Sequence, residues 1–122
     1  MTMYARTASE IDEAAAALRE KNFSADALAL DVTDLAAFRA AVEAQDPFHI
    51  FVNNAGTNRP NPFIDVPVED FDAVMNLNVR AAYFAAQSVA RRMIAGRVHG
   101  SIINMASQIG HVGGANRSLY CA

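Results

Sequence analysis

Ile50-Phe51-Val52-Asn53-Asn54-Ala55-Gly56 is the stretch on which the fold of this chain turns. A branched and aromatic apolar run passes directly into two asparagines, an alanine and a glycine. A short apolar run closed by turn-forming residues is the pattern of a strand buried in a parallel sheet. Pro47 bounds the run on its amino side, so a strand is expected over Phe48 to Val52. At the carboxyl end of such a strand, small residues let a ligand approach the backbone, and asparagines can tie neighbouring strands together. Open parallel sheets bind their ligands along this edge.

The strand–helix alternation extends in both directions. Met1 to Ala5 reads as the end of a strand. Thr7-Ala8-Ser9-Glu10 matches a capping box, with Thr7 as cap and Glu10 reaching back, ahead of an alanine-rich helix to about Glu20. Ala27-Leu28-Ala29-Leu30 is a second apolar run, followed by Asp31-Val32-Thr33-Asp34 and a helix from Leu35 to about Ala44. Beyond a proline-containing loop, Pro67 sits at the first turn of a long helix reaching Ala95, with Glu69 and Asp70 near its positive end. Ser101 to Met105 forms the last strand, and a loop with Gly110, Gly113 and Gly114 leads to Tyr120. This order implies an α/β fold whose parallel sheet is covered by helices on both faces.

Composition narrows the function. At 122 residues the chain fits one domain, and its 52% apolar content is spread over short runs, none long enough to cross a bilayer. A net charge of −3 without a basic block argues against nucleic acid as a partner. Arg91, Arg92 and Arg97 fall near a helix end, where cations complement the helix dipole. The single Cys121 excludes an internal disulfide and fits a reducing cytoplasm. His49, His99 and His111 lack the spacing of a metal site, so no metal is expected. The first residues show no signal-peptide pattern.

Several residues stand out chemically. Phe71, Val74 and Asn78 are spaced by three and four, so Asn78 lies along an apolar helix stripe. Taken alone, it reads as a structural asparagine whose amide finds partners. Asp31 closes a strand, where its carboxylate can accept from an exocyclic amine; a helix N-cap fits it equally well on local grounds. Ser107 follows the strand Ile102-Ile103-Asn104-Met105 directly, and Tyr120 lies thirteen positions on. A phenol ionises at about pH 10 and becomes a useful proton donor or acceptor at neutral pH beside a cation. A nearby serine hydroxyl can hydrogen-bond the same substrate oxygen.

Together, Asn53-Asn54-Ala55-Gly56, Asn78 within Phe71-Asp72-Ala73-Val74-Met75-Asn76-Leu77-Asn78-Val79, and the Ser107–Tyr120 pair resemble the short-chain dehydrogenase/reductase family over essentially the whole chain. The resemblance implies a Rossmann-like, doubly wound parallel sheet and hydride transfer between NAD(P) and a secondary alcohol or ketone. It makes Tyr120 the acid/base and Ser107 the stabiliser of the substrate oxygen. The equivalent of Asn78 perturbs its helix and holds a water in a proton relay. Asn54, Ala55 and Gly56 line the adenosine-side ribose, and Asp31 with the backbone of Val32 faces the adenine. Arg6 stands where NAD-preferring members commonly carry an acidic residue, and an arginine suits a 2′-phosphate, so NADP is favoured and NAD is second.

Compared with that family, residues 1–122 form a partial domain. No G-x-x-x-G-x-G turn occurs, and the sequence ends at Ala122, before the position where the resemblance puts a lysine four residues after Tyr120. In the doubly wound order the first strand lies between the second and the fourth. The fold class expected is therefore an incomplete sheet, lacking the first strand and the C-terminal part, with two strand pairs beside an empty slot. The isolated piece is expected to be unstable and to bind cofactor weakly. The parent would be a homo-oligomer, with the Pro67–Ala95 helix as contact surface. Thr57-Asn58-Arg59-Pro60-Asn61 and Gln108 lean toward a sugar or polyol substrate, although plain solvation explains them equally. The alternatives are an inactive remnant that acts by protein association, and a flavodoxin-like binding domain. The latter explains the alternation but not the coincidence of motifs.

Overall fold

The computed structural model describes all 122 residues. In chain order the elements are β1 (Thr2–Ala5), α1 (Ala8–Glu20), β2 (Asp26–Ala29), α2 (Leu35–Glu43) and β3 (Ile50–Asn53). A 3-10 turn at Phe63–Asp65 leads to α3 (Val68–Met75), a π-helical segment at Asn76–Ala81 and α4 (Ala82–Ala95). After β4 (Ser101–Asn104) come two single-turn helices, α5 (Ile109–Val112) and α6 (Ser118–Cys121). The long helix expected from Pro67 to Ala95 is thus one rod, with Pro67 as its N-cap and a wider turn in the middle.

β1 pairs with β2 in parallel, Tyr4 opposite Leu28, and β3 pairs with β4 in parallel, Asn53 opposite Asn104. The two pairs form separate two-stranded sheets. Packing joins them instead of hydrogen bonds. Phe38 and Val42 from α2 meet Ala85, Val89 and Met93 from α4 in one buried cluster. Tyr4 packs its ring edge-on to Phe38 at 5.6 Å, and the Phe51 ring lies 6.3 Å from that of Phe38. One aromatic ring therefore bridges the two strand pairs. Gly100 permits the close approach at the start of β4, because a Cβ there would lie 2.8 Å from the His49 carbonyl oxygen.

Three local expectations need correction. Thr7 is the N-cap of α1, but its side chain makes no capping hydrogen bond; at this exposed end the first-turn amides face solvent. Asp34, not Asp31, caps α2, accepting from Ala37 N at 3.0 Å. The stripe of the long helix runs through Val74, Ala81, Ala85, Val89 and Met93, while Phe71 is 46% exposed.

The sheet is also not covered on both faces throughout. α1 packs on the β1–β2 pair and α4 on the β3–β4 pair. Phe51 and Asn53 face the helical side, whereas the alternate residues Ile50 and Val52 are 65% and 51% exposed. A strand turns successive side chains to opposite faces, so one helical layer covers only alternate positions.

Candidate active site

All the residues singled out for chemistry lie in or just past segments that leave the carboxyl ends of strands, apart from Asn78. Arg6 follows β1, Asp31 follows β2, Asn54 follows β3, and Ser107 comes shortly after β4. This shared placement arises because parallel strands deliver their exits to one side of a sheet.

At the end of β3, Asn53 is buried and donates through Nδ2 to Ala82 O at 2.8 Å and to Asn104 Oδ1 at 3.1 Å. Its amide ties β3 to β4 and to the first residue of α4. Asn104 escaped the sequence reading as a partner. The only signal was its position at the end of the next strand. The following Asn54, Ala55 and Gly56 are exposed.

Asn78 lies in the π-helical segment and is half-buried. Its Oδ1 accepts from Thr57 N at 2.8 Å, and its Nδ2 donates to Thr57 O at 2.9 Å. The side chain thus acts like a strand partner for one residue of the loop after Gly56. The helix perturbation expected at this residue is present, and widened turns of this kind frequently accompany functional sites.

Ser107 Oγ accepts from Ile109 N at 3.3 Å, which leaves its own O–H available as a donor. Tyr120 sits in α6, whose turn closes through Tyr120 N to Arg117 O at 3.0 Å. Ser107, Tyr120, Asn78, Asn54, Ala55 and Gly56 line one cleft of about 1080 Å³. Tyr83, Gln87, Met105 and His111 also line it and were not expected there, since no motif marks them as site residues. The loop Thr57–Asn61 and Gln108 do not line this cleft. Part of the loop is engaged elsewhere, the Thr57 backbone with Asn78, and Asn61 and Arg59 with Asp70, while Asn58 Oδ1 is buried without a partner.

Arg6, Asp31 and Val32 lie outside the cleft, at the ends of β1 and β2. Asp31 Oδ1 accepts from Thr33 N at 2.9 Å and Thr33 Oγ1 at 2.7 Å, leaving Oδ2 without a protein partner. The backbone and hydroxyl of Thr33, with a smaller contribution from the Arg6 charge, hold this carboxyl below its ordinary 3.8. Arg6 is exposed and forms no ion pair within contact distance. Val32 packs its side chain against the core cluster. No cluster of metal-ligating side chains is present, and no helix is long and apolar enough to cross a membrane.

The short chain dehydrogenase family model matches residues 1–122. The chain is 41% identical over 116 residues to a sorbitol dehydrogenase of Cereibacter sphaeroides, spanning 92% of this chain and 45% of that protein. It superposes on an NAD⁺-bound xylitol dehydrogenase with a TM-score of 0.91 at 30% identity, covering 98% of this chain and 47% of that one. A gluconate 5-dehydrogenase from Burkholderia cenocepacia J2315, solved with NADP and tartrate, gives 0.88 at 32% identity, covering 98% and 48%. The chain thus spans about half the length of the relatives it matches. With the model aligned end to end and the fold reproduced by solved members, the chain belongs to the short-chain dehydrogenase family.

Proposed function

We propose that residues 1–122 are a partial dinucleotide-binding domain of an oxidoreductase that moves hydride between NAD(P) and a secondary alcohol or ketone. The observation that carries this reading is the convergence of Asn54–Gly56, Asn78, Ser107 and Tyr120, from four separate segments, on one cleft. The cofactor fits the residues present on its adenosine side. Exposed small residues at Asn54–Gly56 leave the backbone open to a ribose, and Asp31 Oδ2 is free to accept from an adenine amine. The unpaired guanidinium of Arg6 suits a 2′-phosphate, which favours NADP over NAD.

When bound, the nicotinamide supplies or accepts the hydride. Tyr120 gives or takes the proton at the substrate oxygen. Ser107 Oγ, already accepting from Ile109 N, donates its O–H to that same oxygen and stabilises the charge that develops there. Asn78 spends one N–H and one lone pair on Thr57 and keeps a second N–H for a water in the proton relay. Hydroxylated substrates are favoured because relatives are named for sorbitol, xylitol and L-xylulose. A homo-oligomer formed through α3 and α4, in a reducing cytoplasm, completes the reading. Exposed Val68, Phe84 and Ile94, outside the cleft, support that interface, and the single free Cys121 supports that compartment.

Following NADPH oxidation with L-xylulose, and NADP reduction with sorbitol, tests the reading in the full protein that carries this sequence. Turnover is expected, with Arg6→Glu weakening NADPH and leaving NADH unaffected. No turnover with either cofactor in either direction would contradict it. A second reading, association without catalysis, draws on the exposed Ile50, Val52 and Ile103 of the β3–β4 pair. Concentration-dependent assembly without any cofactor binding would favour it.

A further inference from the structure

Asp70 stands outside the cleft, in the first turn of α3, yet its carboxylate gathers the loop that follows Gly56. Oδ2 accepts from Asn61 Nδ2 at 2.7 Å, and Oδ1 lies 3.6 Å from Arg59 Nη1. The Asp70 side chain is 22% exposed and that of Arg59 55%. The short, shielded bond to the amide therefore outweighs the longer and wetter ion pair. Held by its side chain, Asn61 donates its backbone N–H to Asn116 O at 2.9 Å. Asn116 adopts a left-handed conformation, φ 57°, immediately before the turn in which Arg117 O accepts from Tyr120 N and Cys121 N. At its other end the same loop is gripped by Asn78 through Thr57. One carboxylate thereby links the turn bearing Tyr120 to the rod bearing Asn78.

We propose that Asp70 is a positioning residue for Tyr120, acting through Asn61 and Asn116 to hold the phenol in the cleft that Asn78 and Ser107 also line. The proposal rests on the oxidoreductase reading of the cleft. It separates two properties of Asp70 that sequence alone merges. A negative charge near the start of α3 favours the helix dipole, whereas an acceptor oxygen for Asn61 holds the loop. Asp70→Asn removes the charge and keeps an acceptor; Asp70→Ala removes both.

The test compares wild type, D70N, D70A, N61A and D70A/N61A in the full protein, with L-xylulose and NADPH as probes. Misplacing a catalytic group by a fraction of its working distance slows chemistry steeply, so D70A and N61A are expected to lose about tenfold or more in kcat. The NADPH dissociation constant should stay within about twofold, because Asp70 lies off the cofactor side. The double variant should be no worse than either single one, and D70N should stay within about threefold of wild type. Amide hydrogen exchange supplies a readout independent of turnover: D70A should speed exchange in Ser118–Cys121 but not in β4, and D70N should not. Folded D70A with wild-type kcat and unchanged exchange would overturn the proposal. So would D70N failing as badly as D70A, since the charge alone would then matter. Lack of turnover by wild type contradicts only the oxidoreductase reading, and the exchange comparison still decides the role of Asp70.

Discussion

Asn78 holds both backbone groups of Thr57, accepting from its N–H at 2.8 Å and donating to its carbonyl at 2.9 Å. A side chain on the long rod thus closes the loop that leaves the Asn54–Gly56 turn, and the π-helical segment at Asn76–Ala81 is where it does so. Asn78→Ala leaves two half-buried backbone groups without partners. A loss of about 1–3 kcal/mol in unfolding free energy is expected. Asn78→Asp keeps the acceptor and loses the donor, so urea denaturation should rank it between the wild type and the alanine variant.

Asn53 and Asn104 face each other across the β3–β4 ladder and share a side-chain hydrogen bond. Only Asn53 is buried, and only it also reaches Ala82 O. Asn53→Ala should therefore cost more than Asn104→Ala, by about 1 kcal/mol, because it removes the bonds to both Ala82 O and Asn104 Oδ1 and not the second alone. Thermal unfolding of the two single variants checks the order. Equal losses would mean that the bond to Ala82 contributes nothing.

Much of this architecture was legible in the chain because its signals are local. The apolar runs ending in Asn54–Gly56 and Asp31, and the helix punctuated by Pro67, depend on residues close in sequence. The cleft partners Asn78, Ser107 and Tyr120 were legible through family resemblance. Other features needed three dimensions. Nothing in Thr7-Ala8-Ser9-Glu10 reveals that Thr7 leaves its capping bond unmade. The spacing of Phe71 with Val74 placed both on one buried face, but only Val74 is buried and Phe71 is exposed. The polar loop Thr57–Asn61 looked ready for substrate because no local pattern announces the bonds of Asn61 to Asp70 and Asn116.

Phe38 carries the contact between strand pairs that share no ladder. Phe38→Ala removes the ring that both Tyr4 and Phe51 pack against, and a loss of about 3–5 kcal/mol is expected. Tyr4 offers the opposite sign. Its hydroxyl is buried without a partner, and burial raises its ionisation above the ordinary 10.0. Tyr4→Phe should be neutral or stabilising by about 1 kcal/mol, read from the melting temperature.

The Asp31 carboxyl is depressed below 3.8, with Thr33 as the main cause. A folded value below the unfolded one means that the ionised form is favoured in the native state. Its contribution is complete above the unfolded value and is lost as pH falls through the lower folded one. Carboxyl NMR titration should show Asp31 ionising below 3.8, and Thr33→Val should move it upward. Asp31 is exposed, so the effect on overall stability should be small.

Tyr120→Phe tests the catalytic reading of the cleft most directly, because it removes one oxygen from a ring that otherwise keeps its shape. In the full protein that carries this sequence, steady-state turnover with L-xylulose should fall by at least about a hundredfold, the scale of general acid–base catalysis. The NADPH dissociation constant should stay within about twofold. Turnover by the phenylalanine variant within about threefold of wild type would contradict the assignment of Tyr120 as the group that exchanges the proton with substrate.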